Sequence, residues 1–363
     1  MSGKYIAEIT LNNFRNYHSK TISFREGTNI IVGNNGVGKT NILEAISLFS
    51  NFRGIRSANI RELVSITNSN NSLPKDVLFS IFVRFSSLEK ILLLQKDDGK
   101  FFFYNENHLK NSSELSNILG LTYFIPQMDG FFIGASSNRR KFLDRTSDLL
   151  FINHLDNVRK YDFFLKERMK ILTTQDKYDS WLDIVERKIA ELGASIASVR
   201  NNTLEYLNNI LQNDIENFPT GRIKLIGDVE KLLLELKATD VENIYRENLA
   251  KFRTEDKALK RTNYGVHRSD ILLFHKGKNM VANLCSTGEQ KILLMSLIVA
   301  KTIFSKKISK GTTILLLDEV CSHIDQNTKK ILFEELKKLD IQIFMTGINA
   351  KDFDNIQHNV IEL

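Results

Sequence analysis

The sequence predicts an α/β fold: a head built on a mixed sheet with an antiparallel section, interrupted by an inserted, mostly helical arm. Three observations predict it. An apolar run, Asn29 to Val32, enters a Gly-rich turn and is followed at once by a helical pattern in which Ile42, Ile46 and Phe49 share a face. A second series of β and α patterns runs from Gly265 to Leu363. Between Pro126 and Pro219 there is no proline, and apolar residues recur at helical spacing. The head is therefore placed at 1–133 and 263–363, and the arm at 134–262.

The 363 residues are 42% hydrophobic with only 3 prolines, which suits two or three well-packed domains. A net charge of +7, from 50 basic against 43 acidic residues, helps an anionic partner approach but identifies none. Two cysteines, Cys285 and Cys321, are too few for a disulfide framework or a Cys-based zinc site and suit a reducing cytoplasm. The start MSGKYIAEITL lacks the apolar core of a signal peptide, and no run approaches the roughly 18 apolar residues of a spanning helix. The expectation is a soluble cytoplasmic protein with no membrane partner.

Taken in order, alternating apolar residues predict a strand over Tyr5–Leu11, and Thr21–Phe24 and the apolar run Asn29–Val32 add two more, the last leading into the helix of Ile42. Arg53, Arg56 and Arg61 follow, then an Asn/Ser-rich loop at Thr67–Ser72. Three further β runs, Leu78–Phe85, Lys90–Lys96 and Lys100–Tyr104, include a hairpin signal at Asp97-Asp98-Gly99 and make the antiparallel section. A strand over Leu121–Ile125 ends at Pro126-Gln127. In the arm, Trp181, Val185, Ile189, Leu192, Ile196, Val199, Thr203, Leu207 and Ile210 form the stripe of one long amphipathic helix, and Val241–Phe252 is helical. After Gly265 the patterns predict strands at Ile271–His275 and Asn279–Leu284, a helix at Gly288–Phe304, a very apolar strand at Thr313–Leu317, a helix at Asn327–Leu339, and strands at Ile341–Thr346 and Asn359–Leu363. That order implies a parallel sheet buried on both faces.

The Gly-rich turn is Gly33-Asn34-Asn35-Gly36-Val37-Gly38-Lys39-Thr40, a P-loop between strand and helix. Its backbone N–H groups and the helix N-terminus, continuing through Asn41, favour a polyphosphate; Lys39 reaches the β and γ phosphates and Thr40 offers a hydroxyl to Mg²⁺. A surface turn does not require these residues at these offsets. Ile314 to Leu317 ends in Asp318 and Glu319, as a Walker B does: Asp318 to hold Mg²⁺ and Glu319 to polarise the attacking water. Asp325 lies where a D-loop belongs. Cys285-Ser286-Thr287-Gly288-Glu289-Gln290-Lys291 opens a helix with the Ser-x-Gly-[Gln/Glu] pattern of an ABC signature. An ordinary Ser N-cap has the same appearance. Coming between a P-loop and a Walker B, Ser286 and Gly288 instead make a second phosphate site, which serves a partner's ATP in a head-to-tail pair.

These residues together resemble the ABC-type ATPases of chromosome maintenance, the SMC and RecF group, and within it the RecF family. The resemblance rests further on Leu11-Asn12-Asn13-Phe14-Arg15-Asn16-Tyr17, on Arg139-Arg140-Lys141-Phe142-Leu143-Asp144, on Gly265-Val266-His267-Arg268-Ser269-Asp270 and on Thr346-Gly347. It covers nearly the whole chain. It implies an ABC-ATPase head carrying a recombination mediator's function: DNA binding with ATP and Mg²⁺, ATP-dependent homodimerisation, slow hydrolysis, and work with RecO and RecR in loading RecA at single-strand gaps. It also implies Gln127 as a Q-loop residue sensing Mg²⁺ and the γ phosphate, Arg56 as a DNA-coupled contact near the nucleotide, and Arg15 near the nucleotide base. Thr346 stands where transporters place a switch histidine. The arm lacks the hundreds of coiled-coil residues of SMC proteins.

DNA contact is argued separately. Arg139, Arg140, Lys141 and Arg145 fall together on one helix, and Lys251, Arg253, Lys257, Lys260 and Arg261 make a second basic run. Solvated faces look the same; two such runs near the arm of a basic protein point to phosphate-backbone binding of single-stranded, duplex or gapped DNA without sequence preference. Two other readings compete. A transporter's nucleotide-binding subunit is disfavoured by the LNNFRNY block, Thr346 and the basic arm, and an OLD-like nuclease would need a further acidic metal-binding domain.

Overall fold

The computed structural model describes the chain except residues 1–3, 51–53, 66–72, 75, 111, 175–179, 216–217, 220, 310, 323, 355 and 357. Arg53 and the Thr67–Ser72 loop thus lie outside the described residues. Two compact units pack separately, residues 1–129 with 298–363 and residues 130–297.

The first unit holds two sheets. Strands β1 (Ile6–Phe14), β2 (Tyr17–Ser23), β4 (Val77–Phe85), β5 (Lys90–Lys96), β6 (Gly99–Tyr104) and β7 (Asn107–His108) form an antiparallel sheet in the order β2-β1-β4-β5-β6-β7. β1 and β2 meet as a hairpin in which Phe14 faces Tyr17 and only Arg15 and Asn16 turn the corner, Arg15 at φ +55. The block around Phe14 is therefore a hairpin tip. Strands β3 (Thr28–Val32), β8 (Leu119–Phe124), β12 (Thr312–Leu317), β13 (Gln342–Gly347) and β14 (His358–Glu362) form a parallel sheet in the order β14-β3-β13-β12-β8. Every residue of β12 is buried, as an unbroken apolar run in a sheet covered on both faces requires. Between the sheets the P-loop helix (Lys39–Ser47) contributes Ile42, Ala45 and Ile46 to one core with Ile9, Leu11, Phe79, Ile81 and Leu93. Fully burying an isoleucine, leucine or phenylalanine side chain is worth about 1.5–3 kcal/mol, so Ile42 and Ile46 hold the helix and its preceding loop firmly on the sheet.

The second unit is mostly helical. A helix over His154–Thr174 packs against a 34-residue helix, Ser180–Asn213, and both pack with Ala238–Lys251. The long stripe is buried at Val185, Ile189, Ile196, Thr203, Leu207 and Ile210. Trp181, expected to begin it, is instead 49% exposed, because the buried face enters the helix at its neighbour Leu182, which is fully buried. A second departure concerns the first two strands after Gly265. They do not extend the parallel sheet: β10 (Asp270–His275) lies between β9 (Gly221–Ile226) and the two-residue β11 (Met280–Val281) in a small antiparallel sheet, and Ala282–Leu284 is a 3₁₀ turn. β9 carries the period-two alternation of Arg222, Ile223, Lys224 and Leu225 that marks a half-buried strand, overlooked in a segment read as helical.

Candidate functional site

β3 delivers the chain to the loop of residues 33–38, whose glycines take conformations closed to other residues: φ is +87 at Gly36 and +112 at Gly38. Space excludes a side chain as well. A Cβ on Gly38 would lie 2.5 Å from the Tyr17 hydroxyl and 2.6 Å from the Asn16 amide. The β1–β2 tip thus buttresses the loop: Asn16 donates to the Val37 carbonyl at 3.0 Å and accepts from Asn41 at 2.7 Å. Burial raises the Tyr17 pKa to about 12, so the hydroxyl stays neutral. Lys39 is buried, and its ammonium spans the loop, donating to the Gly33 carbonyl at 2.7 Å and the Asn34 carbonyl at 2.9 Å.

The end of β12 meets this loop. The Thr40 hydroxyl donates to the Asp318 carboxylate, 2.9 and 3.1 Å from its two oxygens, and the Thr346 hydroxyl at the end of β13 donates to Asp318 Oδ1 at 2.7 Å. Thr346 Oγ1 also accepts from the Glu319 backbone N–H at 2.9 Å. One hydroxyl therefore ties both acids to a third strand. The sequence marks Thr346 as a point of resemblance and as standing where transporters place a histidine but does not reveal these two bonds, which depend on the parallel pairing of β12 with β13. Glu319 itself is exposed and sits at φ +47, a left-handed conformation that costs a residue with a Cβ about 1–3 kcal/mol and persists where the surroundings impose it. A threonine hydroxyl beside one carboxylate supplies the hard oxygen donors of a Mg²⁺ held chiefly by phosphates. The loop's glycines and Lys39 suit the phosphates themselves.

Other expected site residues divide. Arg15 forms a bidentate ion pair at 2.8 Å with the fully buried Glu44 of the P-loop helix. Arg56 lies 3.8 Å from the same carboxylate and donates to Asn41 at 3.0 Å, so it does stand beside the P-loop helix. Gln127 is exposed on the 3₁₀ turn Pro126–Met128 that follows β8. Asp325 caps the helix Gln326–Lys338, accepting from Thr328 N–H at 3.0 Å and its hydroxyl at 2.6 Å; the side-chain bond lowers its pKa.

Ser286 and Gly288 belong to the second unit. Ser286 caps the helix Thr287–Ile308 in a capping box with Glu289, the arrangement an ordinary N-cap would give. Gly288 does not fit that bland account. Its φ is not positive and a Cβ there would meet nothing within 4 Å, so the fold does not require glycine at this first-turn position. A bare helix start suits close approach by something outside the chain.

The first basic run needs correction. Arg139 is buried and holds Asp270 through two bonds of 2.7 and 2.9 Å while donating to the carbonyls of Phe131, Phe132 and Gly134. It is a structural clamp with nothing left for DNA. Arg140 is half-buried on Ser136 and the Ser269 carbonyl, and burial, reinforced by the nearby Arg200 charge, lowers its pKa. Lys141 alone of the three is exposed, and Arg145 is half-buried. In the second run Arg253 is bound to Asp183 and Glu186, whereas Lys251, Lys260 and Arg261 are exposed and Lys257 is partly so. Arg268, in the Gly265–Asp270 motif, is also exposed.

Comparison with known proteins agrees with this architecture. Residues 5–362 match the RecF/RecN/SMC N terminal domain family. The sequence is 38% identical over 358 residues to the DNA replication and repair protein RecF of Rickettsia conorii, spanning 98% of this chain and 97% of that protein. Among solved structures, the recombination mediator protein RecF-ATPrS in the RecFOR pathway is similar with a TM-score of 0.82 and 27% identity, over 100% of this chain and 96% of that one. RecF-ATP in the same pathway gives 0.78 and 28%, over 97% and 95%. An SMC head bound to the C-winged helix domain of ScpA shares the fold alone, at a TM-score of 0.50 and 16% identity over 99% and 93%. With a P-loop, a paired-acid strand and these relatives along nearly its whole length, the chain belongs to the RecF family of DNA replication and repair proteins.

Proposed function

We propose that this protein is an ATP-dependent, DNA-binding recombination mediator of single-strand gap repair: a weak ABC-type ATPase of the cytoplasm that dimerises head to tail on ATP and helps load RecA together with RecO and RecR. The observation that carries the chemical part is the network in which Thr40, Asp318 and Thr346 share hydrogen bonds of 2.7 to 3.1 Å with Glu319 anchored beside them. The solved relatives RecF-ATP and RecF-ATPrS support ATP as the ligand.

In this reading the backbone N–H groups of residues 33–38 and Lys39 bind the β and γ phosphates, and Lys39 exchanges its carbonyl partners for phosphate oxygens. Thr40 and Asp318 would hold Mg²⁺, with Gln127 as a further ligand. Bound Mg²⁺ supplies positive charge that neutralises the phosphates. Glu319 accepts the proton of the attacking water, and Thr346 keeps that carboxylate's backbone in place. A threonine, unlike a histidine, adds no second base, which suits slow turnover. Ser286 and Gly288 of one chain complete the phosphate site of the other, Asp325 lines the seam, and Arg56 lies at the rim of the P-loop. The functional division keeps 1–133 and 263–363 as the ATPase head and 134–262 as the arm. DNA phosphates are met by exposed cations, Lys141, Lys260, Arg261 and Arg268 first, with Lys257 and Arg145 behind them.

The test is complementation. Ser286→Arg places a bulky cation where a partner's phosphate must sit, and Lys39→Ala cripples the P-loop; neither should dimerise alone with ATP. Mixed, they can form one intact composite site, so ATP-dependent association measured by light scattering should partly return. Normal dimerisation of Ser286→Arg alone would sink the head-to-tail reading.

A further inference from the structure

Ser286 has two hydrogen-bond donors, and both are spent on one oxygen. Its backbone N–H lies 3.0 Å and its hydroxyl 2.9 Å from Glu289 Oε2. The other carboxylate oxygen, Oε1, is ion-paired with the Lys278 ammonium, on the turn between β10 and β11. These contacts hold the Glu289 pKa down to about 2, the Lys278 bond foremost, so the carboxylate is charged at any physiological pH. Lys278 is correspondingly raised, by the same bond. The start of this helix therefore already carries an anionic oxygen, supplied by its own chain, on the donors that a phosphate oxygen would take.

We propose that Glu289 is an internal anion that latches Ser286, and that Lys278 is the release partner that draws the carboxylate aside when a second copy's ATP docks. The proposal rests on the head-to-tail reading above. A triphosphate approaching Ser286 meets a negative charge and two occupied donors, so engagement requires Glu289 to let go. Lys278 makes that exchange affordable, because Glu289 keeps one strong partner after leaving the serine. Gly288, bare toward solvent, leaves the route open. Both residues act through Ser286 and are positioning residues.

The experiment measures the ATP concentration giving half-maximal dimer, by light scattering on the full chain, with ATP affinity measured separately on dilute monomer to normalise it. Glu289→Gln removes the charge and should lower that concentration about three- to five-fold, the range for exposed charge contacts. Lys278→Ala strengthens the latch and should raise it by a similar factor, while Lys278→Arg should behave as wild type. In the Glu289→Gln background Lys278→Ala should do nothing. Helix unfolding is checked by circular dichroism, and a merely structural capping box would make both single variants worse. If Lys278→Ala acts equally in both backgrounds, or if neither substitution moves the midpoint while wild type dimerises normally, the latch is overturned. If wild type itself does not dimerise with ATP, the head-to-tail reading fails and takes the latch with it.

Discussion

The P-loop corner of the first unit and the polar hub of the second are both made of motif residues, yet they use polarity in opposite ways. At the P-loop, Lys39 and Thr40 bond to carbonyls and a carboxylate beside a loop whose backbone is exposed from Asn34 to Gly36, and Glu319 is held exposed in a strained conformation. In the second unit the two blocks around Arg139 and His267 spend their groups on one another and on Arg200, Tyr161, Tyr245 and His154. Arg139 clamps Asp270; Arg200 takes Asp144 at 2.8 and 2.9 Å and the Val266 carbonyl at 2.8 Å; Tyr161 joins Tyr245 at 2.6 Å and His267 at 2.8 Å. His154 completes the hub on Asp144 at 3.0 Å. A polar motif can thus be a lock as readily as a ligand site, and the distinguishing observation is whether it is buried together with its partners, as Arg200 and Asp144 are, or borders exposed loop residues, as Lys39 does.

The comparison breaks most visibly at Arg139. Arg139→Glu sets a buried carboxylate against Asp270 and should destabilise the second unit by about 3–5 kcal/mol, read by denaturant unfolding. A reversal of Arg139, Arg140 and Lys141 together would report this damage rather than DNA contact. Next in size, Glu319→Gln should keep ATP binding and slow turnover by about a hundred-fold or more, measured by phosphate release. Thr346→Val should cost less, about 1–2 kcal/mol in transition-state stabilisation, as the loss of a hydroxyl serving both acids. The smallest effect is expected of Lys141→Glu, which should leave unfolding unchanged and flatten the salt dependence of DNA binding by about one unit of slope.

Acid should separate the regions too. Burial by itself would raise the Asp144 pKa, but the Arg200 charge and the His154 bond outweigh it and leave it below its ordinary 3.8. A depressed carboxyl stabilises the fold above its unfolded pKa and loses that contribution as pH falls through the folded one. Asp144 should therefore withdraw its contribution to the second unit below about pH 4, and Asp144→Asn should reduce an acid sensitivity to which the lowered Asp270 carboxyl also contributes, followed by helical circular dichroism.

The P-loop and the Walker B acids were legible in the sequence because phosphate and metal chemistry demand particular residue types at fixed offsets beside a strand. The parallel sheet was legible from buried apolar runs, and the antiparallel section from alternation and a hairpin turn. Arg139 was misread because its partner, Asp270, lies far along the chain, and a helix's basic face does not reveal which cation will be buried. Thr346 was undervalued for the same reason, since its bonds exist only once β12 and β13 pair. β9 was hidden by its helical neighbours, and Arg15 by a resemblance that does not say which buried carboxylate will claim it.

The strand that leads into the P-loop pairs on one side with β13 and on the other with β14, never with a strand made near it in time. At a synthesis rate of about 5–20 residues per second, β3 waits on the order of 15–60 s for Gln342 to be made. Until then Ile30 and Ile31 sit on an unpaired apolar ribbon, open to strand addition from other nascent chains. The late arrival of its neighbours delays completion of the nucleotide pocket until β13 and β14 have been made, and a chain stalled before β13 would carry every P-loop residue without the sheet that shapes them.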